Sequence, residues 1–211
     1  MTTILIVRHG QSVSNNLATM TGQKDSPLSE YGLKQAEIVS EHLFKNYKIS
    51  AIYSSDLTRA VQTLNPLSRF SGLEIRKISD LREMNMGVWQ GKKISDLNED
   101  SLFVKWRDYD STIKIPGGES FLELQERVYK AIQKIAIENS GRTVAVVTHG
   151  GAIRMLLAKI LNVQPENWKE KLKYVTNASI TRIEYENGEF QFVNTNDGYL
   201  NEYTSEMPKG I

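Results

Sequence analysis

Two apolar segments that lie far apart in the chain end in the same pattern. Residues 4–10 read ILIVRHG, and residues 144–150 read VAVVTHG. Each is a short, β-branched run of the kind that forms a buried strand in a parallel sheet, and each ends in a histidine followed by a glycine. Ligands of open α/β sheets bind beyond the carboxyl ends of the strands. We therefore expect His9 and His149 to lie together at one edge of a sheet.

Further short strands and a terminal hairpin are predicted along the chain. Besides residues 3–7 and 143–147, strands are expected at residues 51–53 and 74–78. Residues 179–185 and 189–194 are typical of a hairpin that turns at Asn187-Gly188, a pair that favours a type I′ turn.

Helical periods separate these strands, and three of them follow a capping residue. Ser29 precedes a helix with apolar positions at Leu33, Ala36, Val39 and Leu43. Asp56 precedes a helix over residues 57–70. Ser120 forms a capping box with Glu123 at the start of a helix whose apolar positions are Phe121, Leu124, Val128, Ile132 and Ile135. A further apolar helix follows Gly150-Gly151 and runs to about residue 161. The alternation predicts an α/β fold with a mostly parallel sheet and helices on both faces.

One domain over residues 1–211 is expected, because the chain has no repeat, low-complexity tract or linker-like stretch. Residues 81–115 are less regular than the rest, contain Trp89, Trp106 and several charges, and are expected to form short helices. A small cap-like insertion is expected at about residues 84–118.

Composition narrows the classes of function. The formal net charge is +1, which gives no general reason to expect nucleic acid or an acidic membrane surface as a partner. The chain has no cysteine, so disulfides, thiolate metal sites and a cysteine nucleophile are excluded. No apolar run approaches the roughly 20 residues of a membrane span, and the apolar start is too short for a signal peptide. A cytoplasmic protein is expected, and the sequence leaves open whether it is a homodimer.

The strand-end histidines have a structural and two functional interpretations. A lone histidine is more often structural, and His42, on a predicted helix, is interpreted in that way. A pair at equivalent strand ends, each followed by a glycine that permits close approach, favours a functional site. A metal site would need a third ligand, and no carboxylate lies beside either histidine at ligand spacing.

Arginines accompany the histidines and favour a phosphate ligand. Arg8 precedes His9, and Arg59 lies in the first turn of the helix after the second strand, where the helix amino terminus adds free N–H groups. Guanidinium groups match phosphate oxygens bidentately. A neutral histidine can attack phosphorus when its other nitrogen is held by a hydrogen bond, and a carboxylic acid can protonate the leaving group. Spacing alone does not choose that acid.

Six motifs follow one another between about residue 3 and residue 161: LIVRHGQSVSNN, TGQKDSPLSEYGLKQA, IYSSDLTRAVQT, LREMNMGVWQG, PGGES and VVTHGG. In this order they resemble the histidine phosphatase superfamily, and most closely its broad-specificity and α-ribazole phosphatase types. The resemblance implies a three-layer α/β/α sandwich of the phosphoglycerate mutase-like kind. It implies no metal and no organic cofactor, with a small-molecule phosphate ester as the partner.

The resemblance also implies roles for nine residues. His9 would carry the phosphoryl group, and Glu83 would be the general acid and base. Arg8, Arg59 and His149 would form the phosphate pocket, and the substrate would contact Asn15, Thr21, Gly22 and Gly150.

The superfamily contains hydrolases and isomerases, and two features favour a hydrolase. Only 66 positions separate Glu83 from His149 (149 minus 83), which is shorter than the segment of typical cofactor-dependent mutases, and a shorter cap leaves water better access. The motif MNMGVWQG also resembles the phosphatases. The alternatives are a phosphoglycerate mutase primed by 2,3-bisphosphoglycerate and a phospho-ligand binding module that has lost catalysis, although none of His9, Glu83 and His149 is missing.

The sequence constrains the substrate weakly. Five apolar side chains could line the pocket or simply pack in the core: Met84, Met86, Trp89, Trp106 and Tyr109. Lys92 and Lys93 could attract a second anionic group or be a solvated surface pair.

Overall fold

A six-stranded sheet in the order β3-β2-β4-β1-β5-β6 forms the middle of the molecule. The structure, a computed structural model, describes residues 1–172, 174–196 and 200, with residues 16 and 196 described by their backbone only. The strands are β1 (Thr2–Arg8), β2 (Ile49–Ser54), β3 (Ile75–Lys77), β4 (Thr143–Thr148), β5 (Ile180–Glu186) and β6 (Glu189–Asn196). The first four run parallel to one another, and β5 and β6 are added antiparallel at the β1 edge.

The central pair of strands brings the two histidines together. β1 and β4 pair in parallel from Thr3 with Thr143 to Arg8 with Thr148. His9 and His149 are thus the next residue along each strand, and the His9 N–H still donates to the Thr148 carbonyl at 3.0 Å. The expected meeting of the strand ends is confirmed.

Helices cover both faces of the sheet. They are α1 (Val13–Asn16), α2 (Glu30–Asn46), α3 (Thr58–Ser71), α4 (Ser101–Arg107), α5 (Phe121–Glu138), α6 (Gly150–Ile160) and α7 (Trp168–Lys171). Alternate residues of β1 point to opposite faces, so Ile4 and Ile6 join a core with α5 and α6, whereas Leu5 and Val7 join a core with α2 and α3. The predicted α/β/α sandwich is confirmed.

Most of the predicted elements are present, with small changes at their ends. Ser29 caps α2, and Ser120 forms the expected capping box with Glu123 at the start of α5. In the hairpin, Asn187 and Gly188 both have positive φ, 51° and 90°, as a type I′ turn requires. Leu33 does not belong to the buried face of α2, since it is 47% exposed.

Asp56 is not the cap of α3, contrary to the sequence prediction. The helix begins one residue later, with Leu57 at the N-cap and no capping side chain there. Asp56 instead accepts two hydrogen bonds from Arg82. The capping carboxylate comes from Asp25, which accepts from the Thr58 N–H at 2.9 Å and from its hydroxyl at 2.5 Å.

Residues 84–118 pack against the α5 side of the sheet. They contain 3₁₀ turns at Gly87–Trp89 and Ile94–Leu97, followed by α4. Trp89, Phe103 and Ile115 are buried in the same core as α5 and α6, and the Trp89 indole N–H donates to Asp100 at 3.0 Å. The segment therefore shares the hydrophobic core that supports the sheet.

The expected domain extends to residue 211, but residues 201–211 lie outside the described residues. Over the part of the chain that the structure describes, no helix combines the length and the apolar character needed to cross a membrane.

Replacing Asp25 should loosen the start of α3. Asp25→Ala removes the acceptor of the first helical N–H, which typically costs about 1 kcal/mol. Urea unfolding should show this loss in the free energy of unfolding. Asp96→Ala is a matched control, because Asp96 is exposed and its carboxylate accepts, among the described residues, a hydrogen bond from the Ser95 hydroxyl alone. Equal stability of the two variants would contradict the capping role.

Candidate active site

The His9 ring has a defined orientation at the end of β1. Its side chain is 4% exposed, and Nδ1 lies 2.7 Å from the Gly10 carbonyl oxygen. A carbonyl only accepts, so Nδ1 carries the proton and Nε2 keeps its lone pair. Gly10 in turn sits against α2, where a Cβ on it would lie 2.7 Å from the Gly32 carbonyl. Only glycine fits this approach, which holds the histidine loop on the helix.

His149 faces His9, with their ring centroids 5.0 Å apart. Its Nε2 lies 2.9 Å from the Ser55 hydroxyl, while Nδ1 is buried and has no hydrogen-bond partner among the described residues. A buried nitrogen without a partner is costly. Beside a phosphate site, an oxygen of the bound phosphate can satisfy it.

Two arginines complete a cationic pocket around these rings. Arg59, 2% exposed, reaches from α3 and donates to the carbonyls of Gly22 at 2.7 Å and Lys24 at 3.0 Å. Arg8 donates through Nη1 to the Val175 carbonyl, and its Nε is buried without a partner among the described residues. Neither arginine forms an ion pair with a carboxylate of the described residues, so both charges are available to an anion.

Burial, together with the same arginines, keeps both histidines neutral. Burial lowers the pKa of His9 well below 6.5, and the charges of Arg59 and Arg8 lower it further. Burial also lowers the pKa of His149 well below 6.5, with Arg59 as the next cause. Neutral rings retain the lone pair that a nucleophile needs.

Glu83 lies at the amino terminus of α6, which follows His149 directly. One carboxylate oxygen accepts from the Gly151 N–H at 3.0 Å, and the other accepts from the Met84 N–H at 2.9 Å. A Cβ on Gly151 would lie 2.5 Å from the carboxylate, so any other residue there would push the Glu83 side chain out of this position. Among the described residues that line the cavity containing His9, Glu83 is the only one with an acidic side chain.

A network behind Glu83 fixes its backbone. Arg127 of α5 pairs with Glu119 and donates to the carbonyls of Asp80, Arg82 and Glu83. Gln23 donates to the Glu83 carbonyl at 3.0 Å and to Glu119 at 3.2 Å. The loop that contains Gly22 and the segment that contains Glu83 are thereby linked.

The expected substrate residues fall in two places. Asn15, Thr21 and Gly22 line a polar cavity of about 140 Å³ together with Arg8, His9, Arg59 and Glu83. The side-chain amide oxygen of Asn15 accepts hydrogen bonds from the backbone N–H and the hydroxyl of Ser12. The side-chain NH₂ group of Asn15 is therefore left to donate to a ligand. Gly150 lines the adjoining cavity, where a Cβ would lie 3.3 Å from Arg8 Nε.

The adjoining cavity has a volume of about 290 Å³ and is largely apolar. Arg8, Glu83 and Met86 belong to the walls of both cavities. Four of the five candidate apolar residues line it: Met84, Met86, Trp106 and Tyr109. Trp89 does not, because it is fully buried in the core, and Lys92 and Lys93 are exposed and outside its wall.

Sequence reasoning missed several residues of the site. Ser55 directly follows β2, and its place after a strand end was a usable signal. Arg127 and Arg154 lie within ordinary amphipathic helices, where the pattern gives no sign of a site. Tyr174, whose ring lies 4.9 Å from the Arg8 guanidinium carbon, is in an irregular segment.

Together these groups can bind a phosphate, attack it and protonate a leaving group. Arg8, Arg59 and His149 provide cationic and N–H donors, His9 Nε2 provides a lone pair, and Glu83 provides a carboxyl group. Among the described residues, no group of three histidine, aspartate or glutamate side chains could hold a metal ion. The fold and this set of groups are typical of an enzyme class that acts on phosphate esters.

The chain belongs to the histidine phosphatase superfamily (branch 1), whose family model matches residues 4–198. It is 33% identical to the probable phosphoglycerate mutase GpmB of Yersinia pestis over 190 residues. This alignment covers 88% of the present chain and 86% of that protein. Among solved structures it is similar to Bacillus stearothermophilus YhfR, with a TM-score of 0.86 and 29% identity over 92% of this chain and 96% of that one.

Two phosphatases of known structure are also similar. The mycobacterial glucosyl-3-phosphoglycerate phosphatase has a TM-score of 0.81 and 31% identity, over 90% of this chain and 96% of its own. The phosphoserine phosphatase of Entamoeba histolytica has a TM-score of 0.83 and 25% identity, over 95% of this chain and 100% of its own. The superfamily thus includes both mutases and phosphatases.

The buried neutral histidines should make stability depend on pH. Below pH 6.5 the unfolded chain binds protons that the folded chain, with its lowered histidine pKa values, does not. As the pH is lowered below 6.5, the free energy of unfolding should therefore decrease by about 1.4 kcal/mol per pH unit for each histidine, until the folded-state pKa is reached.

Denaturant unfolding between pH 7.5 and 5 measures this slope. His149→Asn should show a shallower dependence than the wild type, whereas Ile137→Gln, which alters an exposed residue without a titratable group, should keep the wild-type slope. Parallel curves for the wild type and His149→Asn would refute the account.

Proposed function

We propose that the protein hydrolyses small-molecule phosphomonoesters through a phosphohistidine intermediate on His9. The observation that carries the proposal is the hydrogen bond between His9 Nδ1 and the Gly10 carbonyl, 2.7 Å long. It leaves Nε2 unprotonated inside a pocket that contains two arginines without carboxylate partners among the described residues.

In the first step the phosphate of the ester binds between Arg8, Arg59 and His149. His9 Nε2 attacks phosphorus, the bond from phosphorus to the ester oxygen breaks, and Glu83 gives a proton to the departing alcohol. Charge on the equatorial oxygens is stabilised by the guanidinium groups and by the His149 Nδ1–H, since fixed donors strengthen as charge develops. Asn15 and the Thr21-Gly22 loop would donate from the other side.

In the second step water replaces the alcohol. Glu83, now ionised, takes a proton from the water as its oxygen attacks phosphorus, and the bond from His9 Nε2 to phosphorus breaks. Inorganic phosphate leaves, and both groups return to their starting protonation states. This cycle requires neither a metal nor an organic cofactor.

The apolar cavity supports hydrolysis over isomerisation. A bisphosphate-primed mutase must hold a second phosphate while the first is on histidine. Here the space beside the phosphate pocket is lined mainly by Met84, Trp106, Tyr109 and other apolar groups, which suit an apolar leaving group. The short segment between Glu83 and His149 agrees with this.

A phosphoglycerate mutase is the second candidate, because the Yersinia pestis relative at 33% identity is described as a probable one. The structurally similar mycobacterial and Entamoeba histolytica proteins are phosphatases of a glucosyl-3-phosphoglycerate and of phosphoserine. Their activities support hydrolysis of a small phosphate ester by this chain.

Loss of His9 should abolish turnover. We expect p-nitrophenyl phosphate hydrolysis to continue in excess EDTA, and to fall on the order of 10³-fold or more in His9→Ala, since the covalent step is lost. Rapid-quench labelling should place acid-labile phosphate on the wild type and on His42→Ala, but not on His9→Ala. Chelation that stops the reaction, or normal labelling of His9→Ala, would refute the mechanism.

Product analysis separates the two candidates. With 3-phosphoglycerate, we expect slow release of inorganic phosphate that is unchanged by 2,3-bisphosphoglycerate. Phosphorus NMR spectroscopy can follow inorganic phosphate and 2-phosphoglycerate in the same sample. Primer-dependent 2-phosphoglycerate without phosphate release would establish the mutase instead.

A further inference from the structure

The wall of the 290 Å³ cavity contains an arginine that the proposed chemistry does not use. Arg154 lies on α6, one turn beyond Gly150 and Gly151, and lines the cavity with Tyr109 and Trp106. Its guanidinium carbon lies 4.8 Å from the centre of the Tyr109 ring. Side chains of a helix lean toward its amino terminus, and in α6 that end faces Glu83.

Among the residues that the structure describes, Arg154 has no anionic partner. One of its terminal nitrogens donates to the Leu172 carbonyl at 2.8 Å, its Nε is buried without an acceptor, and none of the ion pairs within the described residues includes it. A half-buried charge beside aromatic rings loses hydration without gaining a counter-charge. A ligand that brings an anion into the cavity would restore the balance.

The other charges of the cavity have different partners or functions. Arg8 and Glu83 belong to the phosphate pocket. Arg107 is exposed and donates to Asn98 at 2.9 Å, so solvent and Asn98 already satisfy it. The Trp106 indole N–H is buried and also lacks an acceptor among the described residues.

We propose that Arg154 is a specificity-determining residue that binds a carboxylate on the leaving group. The substrates are then phosphomonoesters whose leaving group joins an apolar body, held by Met84, Trp106 and Tyr109, to that carboxylate. One guanidinium with a nitrogen already committed to Leu172 suits a singly charged carboxylate rather than a second phosphate dianion. The inference rests on the proposed phosphatase activity.

The spacing along α6 limits the length of the leaving group. The Gly151 N–H holds Glu83, which protonates the ester oxygen, and Arg154 is three residues further on, a rise of about 4.5 Å. A probe with a short body between its carboxylate and its ester oxygen, such as a benzene ring, is chosen to match this spacing of the backbone positions.

Paired substrates test this inference. We compare kcat/KM for 3-carboxyphenyl phosphate and for its methyl ester, in which a neutral ester replaces the negatively charged carboxylate. The wild type should prefer the carboxylate about tenfold to a hundredfold, as for a charge-assisted hydrogen bond. Arg154→Met should bring the ratio close to one, Arg154→Lys should give an intermediate ratio, and Arg107→Met should retain the wild-type ratio. Thermal melts verify that each variant is folded.

Failure of the inference can be told from failure of the proposed function. Hydrolysis of both esters with a wild-type ratio near one, or an unchanged ratio in Arg154→Met, would overturn the carboxylate subsite and leave the phosphatase intact. Hydrolysis of neither ester would overturn the phosphatase. Calorimetric binding of 3-carboxybenzylphosphonate and its methyl ester then decides the subsite, since a preference that Arg154→Met removes supports it and equal affinities refute it.

Discussion

The parallel pairing of β1 with β4 is the constraint on which the site depends. These strands are adjacent at the centre of the sheet, and their register ends with Arg8 opposite Thr148. A slip of one residue would turn each side chain of a strand to the other face. His9 and His149 would then no longer face each other at 5.0 Å. Because the paired residues of the two strands are 140 positions apart in the chain at every pair (143 minus 3), the site exists only once the central sheet has formed.

The hydrogen-bond partners of the charged side chains explain why the pocket can accept an anion. Arg8 and Arg59 are largely satisfied by backbone carbonyls rather than carboxylates, so their positive charges remain. Neutral histidines add no further charge to this cluster. Glu83 is held by two backbone N–H groups, and it remains close to the cations without forming an ion pair that would cancel them. This balance of charge suits the phosphate dianion that the proposed function requires.

Much of this arrangement could be predicted from the sequence, and the limits have physical causes. The two strand ends and their histidines could be predicted, because an apolar β-branched run and the residue that follows it are recognisable from the local sequence alone. Asp56 was the wrong cap because the true acceptor, Asp25, comes from a different loop, and no local pattern reveals such a partner. Glu83 needed the family resemblance, since its position is set by contact with Gly151 of a distant helix. Arg154 was invisible for the same reason: an arginine on an amphipathic helix is usually solvated, and only the packing of Tyr109 and Trp106 around it gives it significance.

The hydrogen bond from His9 to the carbonyl of its own neighbour has a stereochemical consequence. Imidazole can carry a phosphoryl group on either nitrogen, and the two isomers differ in reactivity and in the direction from which they present phosphorus. Nδ1 is committed to Gly10 by a contact of 2.7 Å that involves no other element of the fold. In the proposed reaction the intermediate is consequently a single regioisomer, phosphorylated at Nε2, and the choice is encoded by two adjacent residues of the chain.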